Sequence, residues 1–308
     1  MKTTSYYLSF VLMLFSSFSV TAKENINIIT AQETGTYYQI AKDIQKIAPP
    51  DMKVNVAPSV GSLTNALLIA TNPNYQLGML QLNIFNSLLQ EGKFVDSIRL
   101  ALPLYNEELH LVANDRIEKL SDLKGKKVAV DIQGTGTFSV AEVLLKQAGL
   151  LNEVEQVFLG GQDAVDALKN LEIDAMFYVV GYPAPLFNSL FKEQAKKGSH
   201  TFHLVPVTLS SLGESFHSTV ISKGSYHGQP EDVETLSVPV FLIMHHFEES
   251  NENCAHVGEI IKTIYNKLDW LKENGHSKWK DVTIDLEKLK QNQSLSPCAR
   301  AALKLDSN

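Results

Sequence analysis

One stretch of the sequence constrains the fold more than any other: residues 28–47, where a strand, a polar loop and a helix follow one another. Ile28 and Ile29 end the apolar strand. Apolar residues then recur at i, i+3, i+4, i+7 and i+10, one face of a helix, at Tyr37, Ile40, Ala41, Ile44 and Ile47. Residues 34–36 therefore lie at a helix N-terminus, where free N–H groups and the helix dipole favour an anion. An ordinary capped helix would have the same pattern, so both interpretations stay open.

Strand and helix patterns alternate along most of the chain, which is typical of a mainly parallel sheet covered by helices. The pattern restarts at the strand Val128–Val130, which is followed by a second polar loop and a second helix. We therefore predict an α/β protein of two lobes. Lobe I comprises residues 23–107 and 206–308, with helices at its C-terminal end, and lobe II comprises residues 108–205. Two chain crossings between the lobes would form a hinge beside a cleft.

The N-terminus is typical of a secretory signal. Lys2 precedes an apolar run from Tyr6 to Phe18, and Val20-Thr21-Ala22 fits a cleavage site, so we expect a signal peptide of residues 1–22 cut after Ala22. No cysteine follows the run, so no lipid anchor is expected. No later segment approaches about 20 consecutive apolar residues, so we expect an exported, soluble protein.

Composition excludes some functions and leaves others open. The formal net charge is −7 and no basic stripe stands out, so no nucleic-acid partner is expected. The two cysteines, Cys254 and Cys298, predict one disulfide in an oxidising compartment, and two buried free thiols are the alternative. The paired His245 and His246, with nearby glutamates, fit no standard metal-ligand spacing, so no metal site is expected.

Three loops share one design, in which glycine and hydroxyl residues follow a strand and open a helix. These loops are residues 34–36 and 59–62 in lobe I and 134–137 in lobe II. Glycine allows close backbone approach, and hydroxyls with free N–H groups donate to a ligand. In open α/β sheets ligands lie beyond the carboxyl ends of strands, where these loops would meet. Gly134-Thr135-Gly136 lacks the third glycine of a dinucleotide fingerprint and no Gly-Lys-Ser/Thr follows, so no nucleotide cofactor is expected.

Several motifs occur in one order over nearly the whole mature chain: Thr34-Gly35-Thr36-Tyr37-Tyr38, Pro58-Ser59-Val60-Gly61-Ser62, Gln81-Leu82-Asn83, Leu104 to Val112, Ser121 to Lys126, and Gly134-Thr135-Gly136-Thr137. Together they resemble the TAXI family, the solute receptors of TRAP transporters. The Thr-Gly-Thr-Tyr-Tyr helix start is the most specific of these motifs. The resemblance implies a periplasmic-binding-protein fold of two lobes and no enzymatic activity.

The resemblance also implies a function and a set of site residues. A periplasmic receptor would close over a small carboxylate or amino acid, such as glutamate or glutamine, and deliver it to a membrane permease. Backbone and side-chain groups of both lobes would hold the ligand carboxylate, and a tyrosine would form the apolar wall. The residues implied are Thr34, Gly35, Thr36, Tyr37, Ser62 and Gln81 in lobe I, with Gly134, Thr135, Thr137 and either Tyr178 or Tyr182 in lobe II.

The sequence departs from the family pattern before the first motif. Ala31-Gln32-Glu33 replaces a glycine-rich run, which places the carboxylate of Glu33 near the expected anion site. Glu33 would either bind the ammonium of an amino acid or stabilise the positive end of the helix. Gln81-Leu82-Asn83 replaces a more usual Gln-Ser-Asp.

Two other functions fit the same lobes less directly. A receptor that presents its ligand to a membrane sensor kinase would have the same cleft, and the sequence does not separate it from a transport receptor. An exported enzyme would need a nucleophile with a base, or a metal set, in the cleft, and no such set is evident in the sequence.

Overall fold

Ten strands form one mixed sheet that continues through both lobes. The structure is a computed structural model that describes residues 24–197, 202–208, 213 and 215–306, so the predicted signal peptide lies outside the described residues. The sheet order is β2-β1-β3-β10-β4-β7-β5-β6, with β8 paired to β4 and β9 to β10. The strands are β1 (Glu24–Ile29), β2 (Met52–Ala57), β3 (Leu77–Gln81), β4 (Ile98–Asn114), β5 (Lys127–Ala129), β6 (Glu155–Val157), β7 (Ala175–Val180), β8 (Phe202–Leu204), β9 (His217–Ile221) and β10 (Val233–His245).

Helices cover the sheet in both lobes. None of those described is long and apolar enough to cross a bilayer. Two 3₁₀ helices, Leu120–Leu123 and Ser277–Asp281, accompany ten α-helices among the described residues. The α-helices are α1 (Thr36–Ile47), α2 (Ser62–Thr71), α3 (Leu82–Gln90), α4 (Gly136–Gln147), α5 (Gly161–Lys169), α6 (Pro185–Lys197), α7 (Glu252–Asn266), α8 (Leu268–Asn274), α9 (Leu286–Lys290) and α10 (Pro297–Ala302).

The α/β fold is confirmed, and the parallel pairing holds at the outer parts of the sheet. Strand β1 pairs in parallel with β2 and β3, and β5 pairs in parallel with β6 and β7. The centre differs, because β10 is antiparallel to both β3 and β4, and β4 is antiparallel to β7. The sheet is therefore mixed rather than mainly parallel.

The apolar stretches at residues 99–105 and 109–113 belong to one strand, β4. The three polar residues Asn106, Glu107 and Glu108 interrupt the apolar pattern without ending the strand. Strand β4 pairs with β10 up to Glu108, and from Glu108 onwards it also pairs with β7. The first crossing between lobes therefore lies inside a continuous strand.

The second crossing also lies inside a strand, which corrects the predicted boundary at residues 205/206. Residues after 205 still pack in the hydrophobic clusters of lobe II, among them Val207, Tyr226 and Val238. The core of lobe I resumes only at Val240 of β10. The described residues between 206 and 238 belong with lobe II by packing, because β9 and the first half of β10 form a hairpin at its edge.

Pro239 marks the crossing in β10. It lies opposite Asn106, and the register with β4 shifts between Pro239 and Phe241. Proline has no N–H to donate to the ladder, which is why such a residue sits at an irregularity. The hinge therefore consists of two paired strands with a break in their ladder.

A disulfide joins two of the C-terminal helices of lobe I to each other. Cys254 of α7 and Cys298 of α10 are bonded and buried. The two helices approach closely, since a Cβ added at Gly258 would lie 3.4 Å from the Cβ of Ala302. The bond closes a loop with a sequence separation of 44 residues.

We predict that replacing both cysteines by alanine lowers the free energy of unfolding by about 3 kcal/mol, because the unfolded chain loses a constraint. Urea unfolding of the oxidised wild type and the double variant measures this difference. Reduced wild type is the control, and it should resemble the variant. Equal stability of all three proteins would contradict a stabilising disulfide.

Candidate functional site

The starts of four helices meet at one cavity between the lobes. Helices α1 and α2 begin there from lobe I, and α4 and α5 begin there from lobe II. The cavity has a volume of about 70 Å³, well above the roughly 10–15 Å³ that a single water requires. It is lined by Ala31, Gln32, Gly35, Thr36, Tyr37, Val60, Gly61, Ser62, Gln81, Glu107, Asp131, Thr135, Gly136, Thr137, Gly161, Tyr178, Val179 and Val180.

Three of these helix starts have no side-chain cap. The residues at the N-cap positions of α1, α2 and α5 are the glycines Gly35, Gly61 and Gly160, which have no side chain to accept from the first turn. In α4 the hydroxyl of Thr135 accepts from Phe138 N at 3.0 Å. Uncapped first-turn N–H groups and aligned helix dipoles make this end of the cavity suitable for an anion.

The lobes contact each other around the cavity. Leu63 N donates to the carbonyl of Gly134 at 3.2 Å, and Asn83 Nδ2 donates to Ser139 Oγ at 3.4 Å. Gly136 lies so close to the Gln81 amide that an added Cβ would be 2.5 Å from its atoms. The two lobes are therefore in contact around the cavity, and glycine at position 136 is what allows the approach.

Hydroxyl groups connect the walls of the cavity. The Tyr37 hydroxyl and Ser62 Oγ share a hydrogen bond of 3.1 Å within lobe I. In lobe II, Thr137 Oγ1 accepts from Val179 N at 3.0 Å, which fixes the start of α4 against β7. Tyr178 forms part of the wall. Thr36, 6% exposed, completes the start of α1.

A buried carboxyl group, Glu107 of β4, lines the cavity. Its side chain is 5% exposed. Gln81 Nε2 donates to Glu107 Oε2 at 2.7 Å, and the Tyr105 hydroxyl donates to Oε1 at 3.4 Å. Burial raises the pKa of Glu107 to about 7, against a usual 4.5, although the hydrogen bond from Gln81 opposes the shift. Burial, and secondarily the nearby Glu107, raises the pKa of Tyr37 and of Tyr105.

A second carboxyl group, Asp131, lines the cavity from lobe II. Its backbone has a φ of 68°, an uncommon conformation for a residue with a side chain. Its Oδ1 accepts from Ile132 N at 2.8 Å, and burial raises the pKa of this carboxyl. A Cβ at Gly160 would lie 1.9 Å from the Asp131 side chain, so residue 160 leaves room for that carboxyl.

The neighbouring Glu108 points away from the cavity to an ion pair at the hinge. Its Oε1 is 2.7 Å from Lys278 Nζ, and its Oε2 accepts from Tyr182 N at 3.1 Å. Lys278, which is 2% exposed, also pairs with Asp281 at 2.8 Å. Glu107 and Glu108 occupy opposite faces because side chains alternate along a strand.

The structure brings most of the predicted site residues together. Residues predicted in both lobes line the same cavity: Gly35, Thr36, Tyr37, Ser62, Gln81, Thr135, Thr137 and Tyr178. Four others do not line it. Glu33 and Thr34 are exposed on the turn before α1, the Gly134 carbonyl is used by Leu63, and the Tyr182 ring lies 4.8 Å from Lys278 Nζ.

The main residue that sequence reasoning missed is Glu107. Glu33 was expected either to bind an ammonium group or to stabilise the helix, whereas the carboxyls that line the cavity are Glu107 and Asp131. The signal for Glu107 was present, because two consecutive glutamates in the apolar run of β4 must be buried or paired.

We predict that Gly136→Ala prevents full closure, because the added methyl group would meet the Gln81 amide at 2.5 Å. The radius of gyration from small-angle scattering should increase and ligand binding should weaken. Gly149→Ala is the control, since no atom lies within 4 Å of a Cβ there, although its φ of 70° costs some stability. An unchanged radius of gyration and ligand affinity in Gly136→Ala would show that this contact does not limit closure.

We predict that Glu107→Gln stabilises the protein more at pH 8 than at pH 5. Between the usual pKa of 4.5 and the folded value of about 7, the folded state keeps a proton that the unfolded state has lost. Wild-type stability therefore falls as pH rises through this window, by on the order of 3 kcal/mol, and the glutamine avoids that loss.

Urea unfolding at both pH values measures the difference. The titratable groups that influence Glu107 are Tyr37, Tyr105 and Tyr178 around its carboxyl and Glu108 on the opposite face of β4, and the variant retains all of them. The exposed Glu249→Gln is the matched control. A difference between Glu107→Gln and wild type that is the same at both pH values would contradict a raised pKa.

Known proteins share this fold at low sequence identity. A protein from Bordetella bronchiseptica RB50 is 17% identical with a TM-score of 0.54, covering 92% of this chain and 82% of that one. A Xanthomonas citri protein bound to ATP is 10% identical with a TM-score of 0.53, covering 91% and 98%. The likeness to these structures is one of fold. Residues 28–305 match the NMT1-like family. Because that match spans most of its length, the chain belongs to the NMT1-like family.

Proposed function

We propose that this protein is a periplasmic solute receptor of a TRAP transporter, of the TAXI type. It closes over a small carboxylate or amino acid such as glutamate or glutamine and passes it to a membrane permease. The protein binds its ligand and releases it chemically unchanged.

The observation that carries this proposal is the convergence of helix starts from both lobes on one cavity. Helices α1 and α2 and helices α4 and α5 contribute to it from opposite sides of a two-strand hinge. A ligand carboxylate at this point would receive first-turn N–H groups from both lobes. Binding would therefore favour the closed form, as a receptor that reports occupancy to a permease requires.

Two further observations support the proposal. The motifs that resemble the TAXI family, at residues 34–38, 58–62 and 134–137, supply much of the cavity lining. Among the described residues that line the cavity there is no histidine or cysteine, and the Ser62 hydroxyl is paired with Tyr37 rather than with a base. The cavity residues thus offer ligand contacts without a nucleophile–base pair.

We predict that one or more amino acids or small carboxylates raise the melting temperature of residues 23–308 in a thermal-shift screen. Thr36→Ala and Thr137→Ala should weaken the shift, because each removes a cavity hydroxyl. We expect roughly a 3- to 10-fold loss of affinity for each variant by calorimetric titration.

Thr71→Ala is the matched control, since Thr71 is exposed at the far end of α2. Its affinity should equal that of wild type. No thermal shift with any compound of either class would contradict the proposed ligand class. A shift that both cavity variants retain unchanged would contradict the assigned site.

A further inference from the structure

Two acceptor groups in the cavity have bonding requirements that the described residues do not meet. Gln81 is 1% exposed, and its Oε1 has no hydrogen-bond partner, one of two such buried side-chain atoms in the described part of the chain. Its Nε2 is used by Glu107. A buried acceptor without a donor is costly, so this oxygen favours a ligand that donates to it.

The Glu107 carboxyl lacks a positively charged partner, because only neutral groups donate hydrogen bonds to it. Its donors are the Gln81 amide and the Tyr105 hydroxyl. No lysine, arginine or histidine is among the described residues that line the cavity. The nearby cation at the hinge, Lys278, is bound by Glu108 and Asp281. Ionising a buried carboxyl without a cation is costly, so an added cation at this position would be stabilising.

A single positively charged donor would satisfy both groups. An ammonium has three N–H donors and no acceptor. Because Gln81 Nε2 bonds to Glu107, the free Oε1 of the same amide lies beside that carboxyl. Asp131 adds a second carboxyl to the cavity from lobe II.

We propose that the ligand carries a primary ammonium group, which Glu107 and Gln81 bind through the carboxylate and the amide oxygen. Its carboxylate lies at the helix starts, so the ligand is an amino acid rather than a simple carboxylate or dicarboxylate. This inference rests on the proposed function and narrows its ligand class. Glu33, which is exposed on the surface, has no part in it.

The experiment compares ligands that differ only in the amino group. Glutamate is paired with glutarate, and glutamine with glutaramate, and alanine with propionate provides a smaller pair. Calorimetric titration of the mature chain gives the affinity for each member. We expect the amino acid of the pair that binds to be favoured over its deaminated partner by about 10- to 100-fold, since a charged hydrogen-bonding group is lost.

Variants test which side chains hold the ammonium. Glu107→Gln keeps the shape and removes the charge, and Gln81→Leu removes the amide oxygen. Both should lower the preference for the amino acid over its deaminated partner to less than a few-fold, whereas Glu249→Gln should keep it. Circular dichroism checks that the variants are folded, and Gln81→Met replaces Gln81→Leu if the branched side chain prevents folding.

The outcomes separate this inference from the proposed function. If no member of any pair binds, the proposed function fails. If a carboxylate binds as tightly as its amino acid, the proposed function stands and the ammonium inference is overturned. If the amino acid is preferred equally by wild type and by Glu107→Gln, the assignment to Glu107 is overturned.

Discussion

The whole arrangement depends on the antiparallel pairing of β4 with β10. These strands are 17 and 13 residues long, and each belongs to the cores of both lobes. At Asn106 and Pro239, between the two cores, the ladder is irregular. The cavity lies beside that point, since Glu107 is the next residue of β4. The hinge and the site are therefore parts of one structural element, and a movement of the lobes necessarily changes the surroundings of the site.

The electrostatics of the cavity have two opposite components. Helix starts without side-chain caps favour negative charge, whereas Glu107 and Asp131 favour positive charge. No lysine, arginine or histidine of the described lining compensates the charge of the two carboxyls. A zwitterion has both charges and is complementary to such a site, because each end meets the component of opposite sign. Because Glu107 has no cation beside it in the described lining, burial is the largest influence on its pKa.

The local elements of the site could be predicted from the sequence, because their signals are local. Apolar spacing predicted α1 and α4, and α1 begins at Thr36 after a glycine N-cap, as the pattern at residues 34–36 indicated. The meeting of the loops at one cavity followed from the general position of ligands in α/β sheets. The second lobe boundary was wrong, because β9 and β10 form a hairpin whose place depends on pairing between residues distant in sequence.

The position of Glu33 outside the cavity has a similar physical cause. Glu33 precedes a helix in the sequence, but the turn before α1 carries it to the surface. Glu107 reaches the cavity because β4 passes through the hinge, and this depends on how strand β4 pairs with β10 and β7. Sequence spacing alone does not report such long-range register.

The adjacency of Glu107 and Glu108 has a consequence for how this protein can change during evolution. Inserting or deleting one residue in the first half of β4 would exchange the faces of the two carboxyls or force a new bulge. The Glu108 carboxyl, which now pairs with Lys278, would enter the cavity, and the Glu107 carboxyl would face Lys278 instead. Relatives that keep this site should therefore accept length changes in surface loops while the number of residues along β4 stays constant.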